Sequence, residues 1–232
     1  IAMPEKYGGS NLGVTEAALM MMIIAEKGGM TAASSIHMNI FGPSALVKFA
    51  SEKQKLKWLP KIISGETKMC FAVTEPDTGL DTTRLKAKAV KKNNHYIING
   101  RKIWTSTAQI TNKIMIIART SERNDKHPTQ GLSLFYTDFN RDYIEARVIH
   151  KMGRAAVDSN ELFIDNLKVP NDDLVGEEGK GFSYLIQSLN PERILVAAEA
   201  YGIAKNALDR AVKYAKERIV FERTIGKNQS IQ

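Results

Sequence analysis

Phe71-Ala-Val-Thr-Glu-Pro-Asp-Thr-Gly-Leu-Asp-Thr-Thr83 sets an apolar run, Phe71 to Val73, directly before a turn of hydroxyls, acids, Pro76 and Gly79. Such a turn presents backbone N–H groups and small donors, which suits a phosphate or the polar edge of a flat cofactor. Arg101-Lys-Ile-Trp-Thr-Ser106 adds an aromatic plate, Trp104, beside two hydroxyls. A flavin uses that pairing: cover for one ring face, and donors where charge gathers on reduction. Taken alone, the first segment reads equally as an ordinary turn, and Trp104 as a core strand aromatic.

Other chemistries find less support. Cys70 is alone, so there is no disulfide framework and no cysteine-rich metal site. His37, His95, His127 and His150 are widely spaced and none forms an H-x-x-x-H pair, so no metal is expected. The formal net charge of +8 is compatible with a phosphate-rich small molecule. The lysines are scattered and not interleaved with aromatics, which argues against a nucleic-acid stripe. No apolar run reaches the length of a membrane span; the most apolar stretch, Ala17 to Ala25, is cut off by Glu26 and Lys27.

The elements that must hold these residues follow from periodicity. Thr15 to Ala25 is apolar at helical spacing and stops at Gly28-Gly29. Ala33 to Phe49 has a second apolar face, broken at Gly42-Pro43, and Ser51 to Leu59 reads as an N-capped helix ending before Pro60. From Lys68 to Pro170 the period shifts to strands. Asn99-Gly100, between Tyr96-Ile-Ile98 and Lys102-Ile-Trp104, predicts a two-residue hairpin. Ile114 to Ala118, Leu132 to Phe139, Ile144 to Ile149 and Glu161 to Val169 read as further strands. Asn190-Pro191 then predicts the start of a long helix, Asn as cap and Pro in its first position. Ile194, Leu195, Ala198, Tyr201, Leu208, Val212 and Ala215 would line one face of it. The order predicts an α+β protein: a helical N-terminal part over 1–67, a β-domain over 68–176 and the start of a C-terminal helical bundle over 177–232. Gly176-x-x-Gly179-x-Gly181 has the wrong order for a Rossmann dinucleotide site.

The chain resembles the acyl-CoA dehydrogenases. Thr74-Glu75-Pro76 with Gly79 and Asp81 is similar to that family's first signature, and Tyr96-Ile-Ile-Asn-Gly-Arg-Lys-Ile-Trp104 to the strand-turn-strand after it. Lys151-Met-Gly-Arg154, Glu161-Leu-Phe163, Val169-Pro170 and Gly176-Glu-Glu-Gly-Lys-Gly-Phe182 resemble the next landmarks, and Arg218, Phe221 and Gln229 fit its R-x-x-F…Q pattern. The resemblance implies a helical bundle interrupted by an antiparallel β-barrel-like domain, with FAD and a thioester held between them. It implies removal of a proton α to the thioester carbonyl and of a hydride from the β carbon, giving a trans-2-enoyl-CoA.

Carried over residue by residue, the resemblance places Phe71, Val73 and Thr74 along the isoalloxazine and Gly79 and Leu80 near the pyrophosphate. It places Trp104 over the ring and Ser106 at N5. Leu80 stands where many members have Ser. Arg218, Phe221 and Gln229 would reach the adenosine of a neighbouring subunit's FAD, with Glu222 where Gly is usual. Asn190 and Arg193 match pantetheine-side positions, and Tyr184, Leu185, Ser188 and Leu189 would border the acyl channel. Glu192 occupies the position of the catalytic base in part of the family, including the isovaleryl-CoA and long-chain enzymes. In most members a C-terminal loop supplies the base, and a Glu near a helix start is also explained by the helix dipole.

The resemblance further implies a homotetramer, an electron-transfer flavoprotein as acceptor, and a cytoplasmic location in a bacterium or the mitochondrial matrix in a eukaryote. Family members begin earlier and run further, so this chain reads as part of a longer one. An acyl-CoA oxidase or flavin monooxygenase on the same scaffold, and a non-catalytic flavin- or acyl-CoA-binding relative, stay open as alternatives.

Overall fold

Residues whose apolar positions recur every three to four places form the first layer of the molecule. The computed structural model describes residues 1–232, the side chain of Met30 aside. Helix α1 (Val14–Glu26) buries Ala17, Met21 and Ala25, a stripe at four-residue spacing. The Glu16 carboxylate accepts the Gly13 N–H at its start (2.8 Å), and Gly28 follows its end with φ +86°. Helices α2 (Met30–Phe41) and α3 (Ser44–Phe49) come next. Helix α4 (Glu52–Ile63) opens on a reciprocal cap, Gln54 N donating to Ser51 Oγ and Ser51 N to Gln54 Oε1. The expected stop before Pro60 is not observed. Trp58, Leu59 and Ile62 are all buried, which holds the helix through the proline. The carbonyl that Pro60 leaves without an N–H partner belongs to exposed Leu56, where water reaches it.

The strands are β1 (Met69–Ala72), β2 (Lys88–Lys91), β3 (His95–Ser106), β4 (Lys113–Arg119), β5 (Leu132–Asp138), β6 (Ile144–Val148), β7 (Ser159–Pro170) and β8 (Leu174–Val175). They form one sheet in the order β6-β7-β3-β2-β4-β5-β8, with β1 also joined to β4. The pairing is antiparallel except that β1 and β2 both run parallel to β4. The unbroken apolar run of β4 is explained by burial on both faces. Ile114, Ile116 and Ala118 join a core with β3, β5 and β7, while Met115 and Ile117 join a second core with α3, α4 and the start of α5.

The hairpin predicted at Asn99-Gly100 does not form. Strand β3 continues through both residues, pairing with β2 on one side and, across a register shift between Ile98 and Gly100, with β7 on the other. A two-residue hairpin needs a turn backbone that Asn99 does not adopt, since only Gly100 has a positive φ (+157°). Gly100 is there because the neighbouring segment comes close: a Cβ on it would lie 2.6 Å from the Ala87 Cβ. The Asn99 side chain is used across the sheet, where its Oδ1 accepts from Asn166 N (2.7 Å).

The predicted helix start at Asn190-Pro191 is also corrected. Helix α5 runs from Gly181 to Glu217, with Pro191 inside it. Buried residues on both sides, Leu185 and Ser188 before and Leu195 after, carry the helix across the proline. The freed carbonyl is that of exposed Gln187. Leu195 packs with Ala17, Met21 and Ala25 of α1 and with Phe41 of α2. Gly202 meets α1 at backbone contact: a Cβ there would lie 2.2 Å from the Met22 carbonyl oxygen. Of the face predicted for this helix, Leu195 is fully buried, whereas Ile194, Tyr201, Leu208 and Val212 are exposed. A small hairpin, β9 (Ile219–Val220) and β10 (Arg223–Thr224), follows, turning on Phe221 and Glu222, both at positive φ. Among the described residues no helix is long and apolar enough to cross a membrane.

Candidate functional site

The end of β1, the turn after it, the end of β3, and one face each of α2 and α5 surround a cavity of about 300 Å³. Phe71, Val73 and Thr74 come from β1 and the start of the turn, and Gly79 and Thr82 from farther along it. The turn is locked by reciprocal backbone bonds between Glu75 and Thr78 (3.0 Å each way). Asp81 then accepts from Thr83 N and from Arg84 Nε (2.8 Å), so this acid shapes the turn. An added Cβ at Gly79 would touch only Thr74 Cγ2, at 3.7 Å, which leaves the backbone there open to approach.

Strand β3 contributes Ile103, Trp104 and Ser106 through a β-bulge. Its register against β7 shifts between Lys102 and Thr105, and Trp104 takes φ +61°. A left-handed tryptophan is uncommon and costs roughly 1–2 kcal/mol. The bulge turns its ring out of the core, leaving the residue 58% exposed beside the cavity. Ile103 N donates to Thr74 O (2.9 Å), which docks the turn onto the bulge.

The helical wall is α2 and α5. Phe71 meets Phe41 edge to face, and Phe41 stacks on His37. His37 is nearly buried, and its Nδ1 lies 3.8 Å from Glu199 Oε2. Glu199 is itself held by Ser34 Oγ (2.6 Å). Burial, with Arg154 nearby, pushes the His37 pKa down against the opposing pull of Glu199. Glu192 enters the cavity from α5, and burial holds its carboxyl above the usual glutamate range, with Arg193 partly opposing. Because α5 starts at Gly181, Glu192 lies about three turns inside the helix. Interaction with a helix N-terminus therefore does not account for it.

The predicted site residues divide into those the fold brings together and those it does not. Phe71, Val73, Thr74, Gly79, Trp104, Ser106 and Glu192 share this cavity, as does Leu189. Leu80 points fully into solvent. Tyr184 is a core residue: its ring stacks on Phe49, and its hydroxyl accepts from Glu177 N (3.2 Å). Ser188 is buried and donates to the Tyr184 carbonyl one turn back (2.8 Å). Asn190, predicted as a helix cap, instead accepts from Arg193 Nη1 (2.8 Å) on the exposed face of α5. Arg218 follows α5, and Phe221 and Gln229 are exposed beyond it, none of them at the cavity.

Six lining residues carry no assignment from sequence, three of them apolar (Met38, Phe41 and Ile103) and three polar (His37, Thr82 and Arg154). Arg154 belongs to the Lys151-Met-Gly-Arg154 landmark, and its positive φ (+57°) is the local mark of a special position. His37 Nδ1 and Arg154 Nε are buried without a hydrogen-bond partner. An orphaned buried polar atom costs about 1–3 kcal/mol, so the site fits an occupant rich in polar atoms. A ring system with carbonyls and ring nitrogens would meet both the polar and the apolar lining.

The central cavity sets an exposed aromatic, hydroxyls and a half-buried carboxyl around one space, a lining suited to a flat ring with a polar edge. Acyl-CoA dehydrogenase N-terminal, middle and C-terminal domain models match residues 1–66, 70–167 and 179–232 in succession. The chain belongs to the acyl-CoA dehydrogenase family. An acyl-CoA dehydrogenase of Bacillus subtilis is 35% identical over 100% of this chain and 60% of its own length. The crystal structure of an acyl-CoA dehydrogenase from Geobacillus kaustophilus superposes with a TM-score of 0.90 at 32% identity, over 99% of this chain and 60% of that one. An FAD complex of PigA superposes at 0.91 with 27% identity, over 99% and 60% of the two chains. The chain thus spans about 60% of the length of the relatives it matches.

Proposed function

We propose that this chain binds FAD and an acyl-CoA thioester and serves the α,β-dehydrogenation of the acyl group to a trans-2-enoyl-CoA. The observation that carries the reading is the convergence of Trp104, Thr74, Ser106 and Glu192 on one cavity. When bound, FAD supplies the two-electron acceptor for the β-hydride. The chain's own residues do the rest. Trp104 covers a ring face, while the Thr74 and Ser106 hydroxyls offer donors to its polar edge. Glu192 takes the α proton on its carboxylate, the step for which a desolvated carboxyl near the substrate is suited. Phe71, Phe41 and Leu189 give the cavity that it shares an apolar lining.

In this reading the substrate is a CoA thioester, consistent with the net charge of +8. Electrons pass on to an electron-transfer flavoprotein. The exposed apolar residues of α5, Tyr201, Leu208 and Val212 among them, support assembly as a homotetramer in which Arg218, Phe221 and Gln229 serve a neighbour's cofactor. The test is an anaerobic absorbance spectrum of the FAD-loaded protein before and after each of a panel of acyl-CoA thioesters. Bleaching of the oxidised flavin band by one of them is expected. A flavin that no thioester bleaches would overturn the substrate, and failure to bind FAD would overturn the cofactor.

Trp104→Ala isolates the ring contact. An aromatic pair contributes about 0.5–1.5 kcal/mol beyond area burial, so FAD affinity is expected to fall roughly two- to tenfold. The residue is more than half exposed, so thermal stability of the FAD-free chain should move little. Titration by flavin fluorescence quenching, paired with a melting curve, checks both.

A further inference from the structure

The charges buried beneath the cavity lie outside every role assigned above. Lys102 is fully buried, and its Nζ donates to Glu75 Oε1 (2.9 Å) and to the Val73 carbonyl (2.8 Å). Glu75, also buried, accepts Ala87 N on the same oxygen (2.9 Å) and Lys86 N on the other (2.7 Å). Desolvating such a pair is costly, and an apolar pair of similar volume is often as stable, so stability alone does not explain it. Location does. Lys102 is the last residue of β3 in register with β7 before the bulge, opposite Leu162, and register resumes at Thr105 opposite Asn160. On the far side of the bulge, Asn160 Nδ2 donates to the Thr105 carbonyl (3.0 Å).

We propose that Lys102 and Glu75 are a positioning pair: together they fix the register between the turn carrying Thr74 and Gly79 and the bulge presenting Trp104 and Ser106. This rests on the FAD-binding reading. One amine ties Val73 and Glu75, on either side of Thr74, to the strand position just before the bulge. The carboxylate it meets ties the same turn to the segment entering β2. A slip of one residue in β3 would turn Trp104 and Ser106 onto the opposite face. An apolar pair would fill the space without selecting one register, whereas saturated hydrogen-bonded charges select it. The register is thus set before any cofactor arrives. Burial also pushes the Lys102 pKa down to about 8, and Glu75 pulls it back only in part.

The test compares the unaltered chain with Glu75→Gln, Lys102→Met and the double variant, by amide hydrogen exchange without FAD and by FAD titration. Exchange at Ile103, whose N–H bonds Thr74, is expected to quicken at least tenfold, while Ile116 in the β4–β5 core keeps its protection. FAD affinity is expected to fall at least tenfold, including in the double variant, which leaves no uncompensated charge. Wild-type protection at Ile103 together with wild-type FAD affinity in any folded variant would overturn the proposal. So would uniform loss of protection at Ile103 and Ile116, which marks a merely structural pair. If Lys102→Met fails to fold, Glu75→Gln, which keeps the carboxylate's shape, decides on the same criteria. Failure of the unaltered chain to bind FAD would count against the functional reading, and exchange at Ile103 would still judge the register.

Discussion

Glu192→Gln is expected to slow flavin reduction by the acyl-CoA substrate by about 10²- to 10⁴-fold, the usual contribution of a general base. The amide keeps the size and polarity of the side chain and removes only its capacity to take a proton. FAD and thioester binding should therefore change little, and rapid-mixing measurement of flavin bleaching would separate binding from chemistry. A pH series sharpens the point. Because burial raises the Glu192 pKa, the low-pH limb of the rate profile should lie above the ordinary carboxylate range, and the Gln variant should lack it. The stability sign runs the other way from activity. A carboxyl whose folded pKa exceeds its unfolded value contributes stability below the unfolded pKa and loses it as pH rises through the folded one. At neutral pH the charged form is the disfavoured one in the folded chain, so Glu192→Gln should melt no lower than the parent. An unchanged reduction rate in a folded Gln variant would remove Glu192 as the base and place the proton acceptor elsewhere.

Gly202→Leu is expected to destabilise the chain by about 3 kcal/mol, at or beyond the upper end of ordinary overpacking. Intrinsic helix propensity points the opposite way, since glycine inside a helix is about 0.8–1 kcal/mol worse than alanine. The contact decides the sign. A single added carbon would sit 2.2 Å from the Met22 carbonyl oxygen and 2.9 Å from both the Ala25 Cβ and the Glu26 amide. Backbone atoms cannot rotate aside, so α1 and α5 must separate. Separation would also strain Lys205 Nζ to Glu26 Oε1 (2.8 Å) and the Asn206 side chain on the Glu26 carbonyl, the polar clasp at the end of α1. Even Gly202→Ala should lower stability despite its better propensity. Urea unfolding of the two variants would show it: a midpoint for Gly202→Ala at or above the parent's would mean the helices part at little cost. Because Glu192 and Glu199 ride on the same helix, Gly202→Leu should also widen the cavity wall.

The residues readable in advance were those whose meaning is local. The run Phe71 to Val73 and its turn, the Ser51 cap and the all-apolar β4 carry their signals within a few positions. Misreadings occurred where tertiary packing overrode a local rule. Asn99-Gly100 is a strong hairpin signal, yet Gly100 answers to Ala87 crowding it from the adjacent segment. Pro60 reads locally as a helix stop and Pro191 as a helix start, but buried neighbours on both sides make the uninterrupted helix the better-packed solution. Glu192 was legible as a candidate from family resemblance alone, and its half-buried place in mid-helix is something only the fold could supply. His37 and Arg154 reach the cavity from an α2 face and a loop before β7, and nothing in the spacing of either points at the other. The Lys102–Glu75 pair was silent for the same reason: a lysine in a strand reads as an exposed charge until its neighbours are known.

The lone thiol has a use unrelated to catalysis. Cys70 lies on β1 with no exposed surface, and burial drives its pKa far above that of a free cysteine. A thiolate is the form that electrophiles attack, so in the folded molecule this sulfur is silent both sterically and chemically. Strand β1 pairs with β4 at the centre of the sheet, which means that the sulfur emerges only when that pairing opens. Alkylation of Cys70 by a small haloacetamide therefore acts as an irreversible clock on opening of the central strands. Its labelling rate, followed by intact mass, reads out how often the sheet comes apart in a chain that needs no engineered probe.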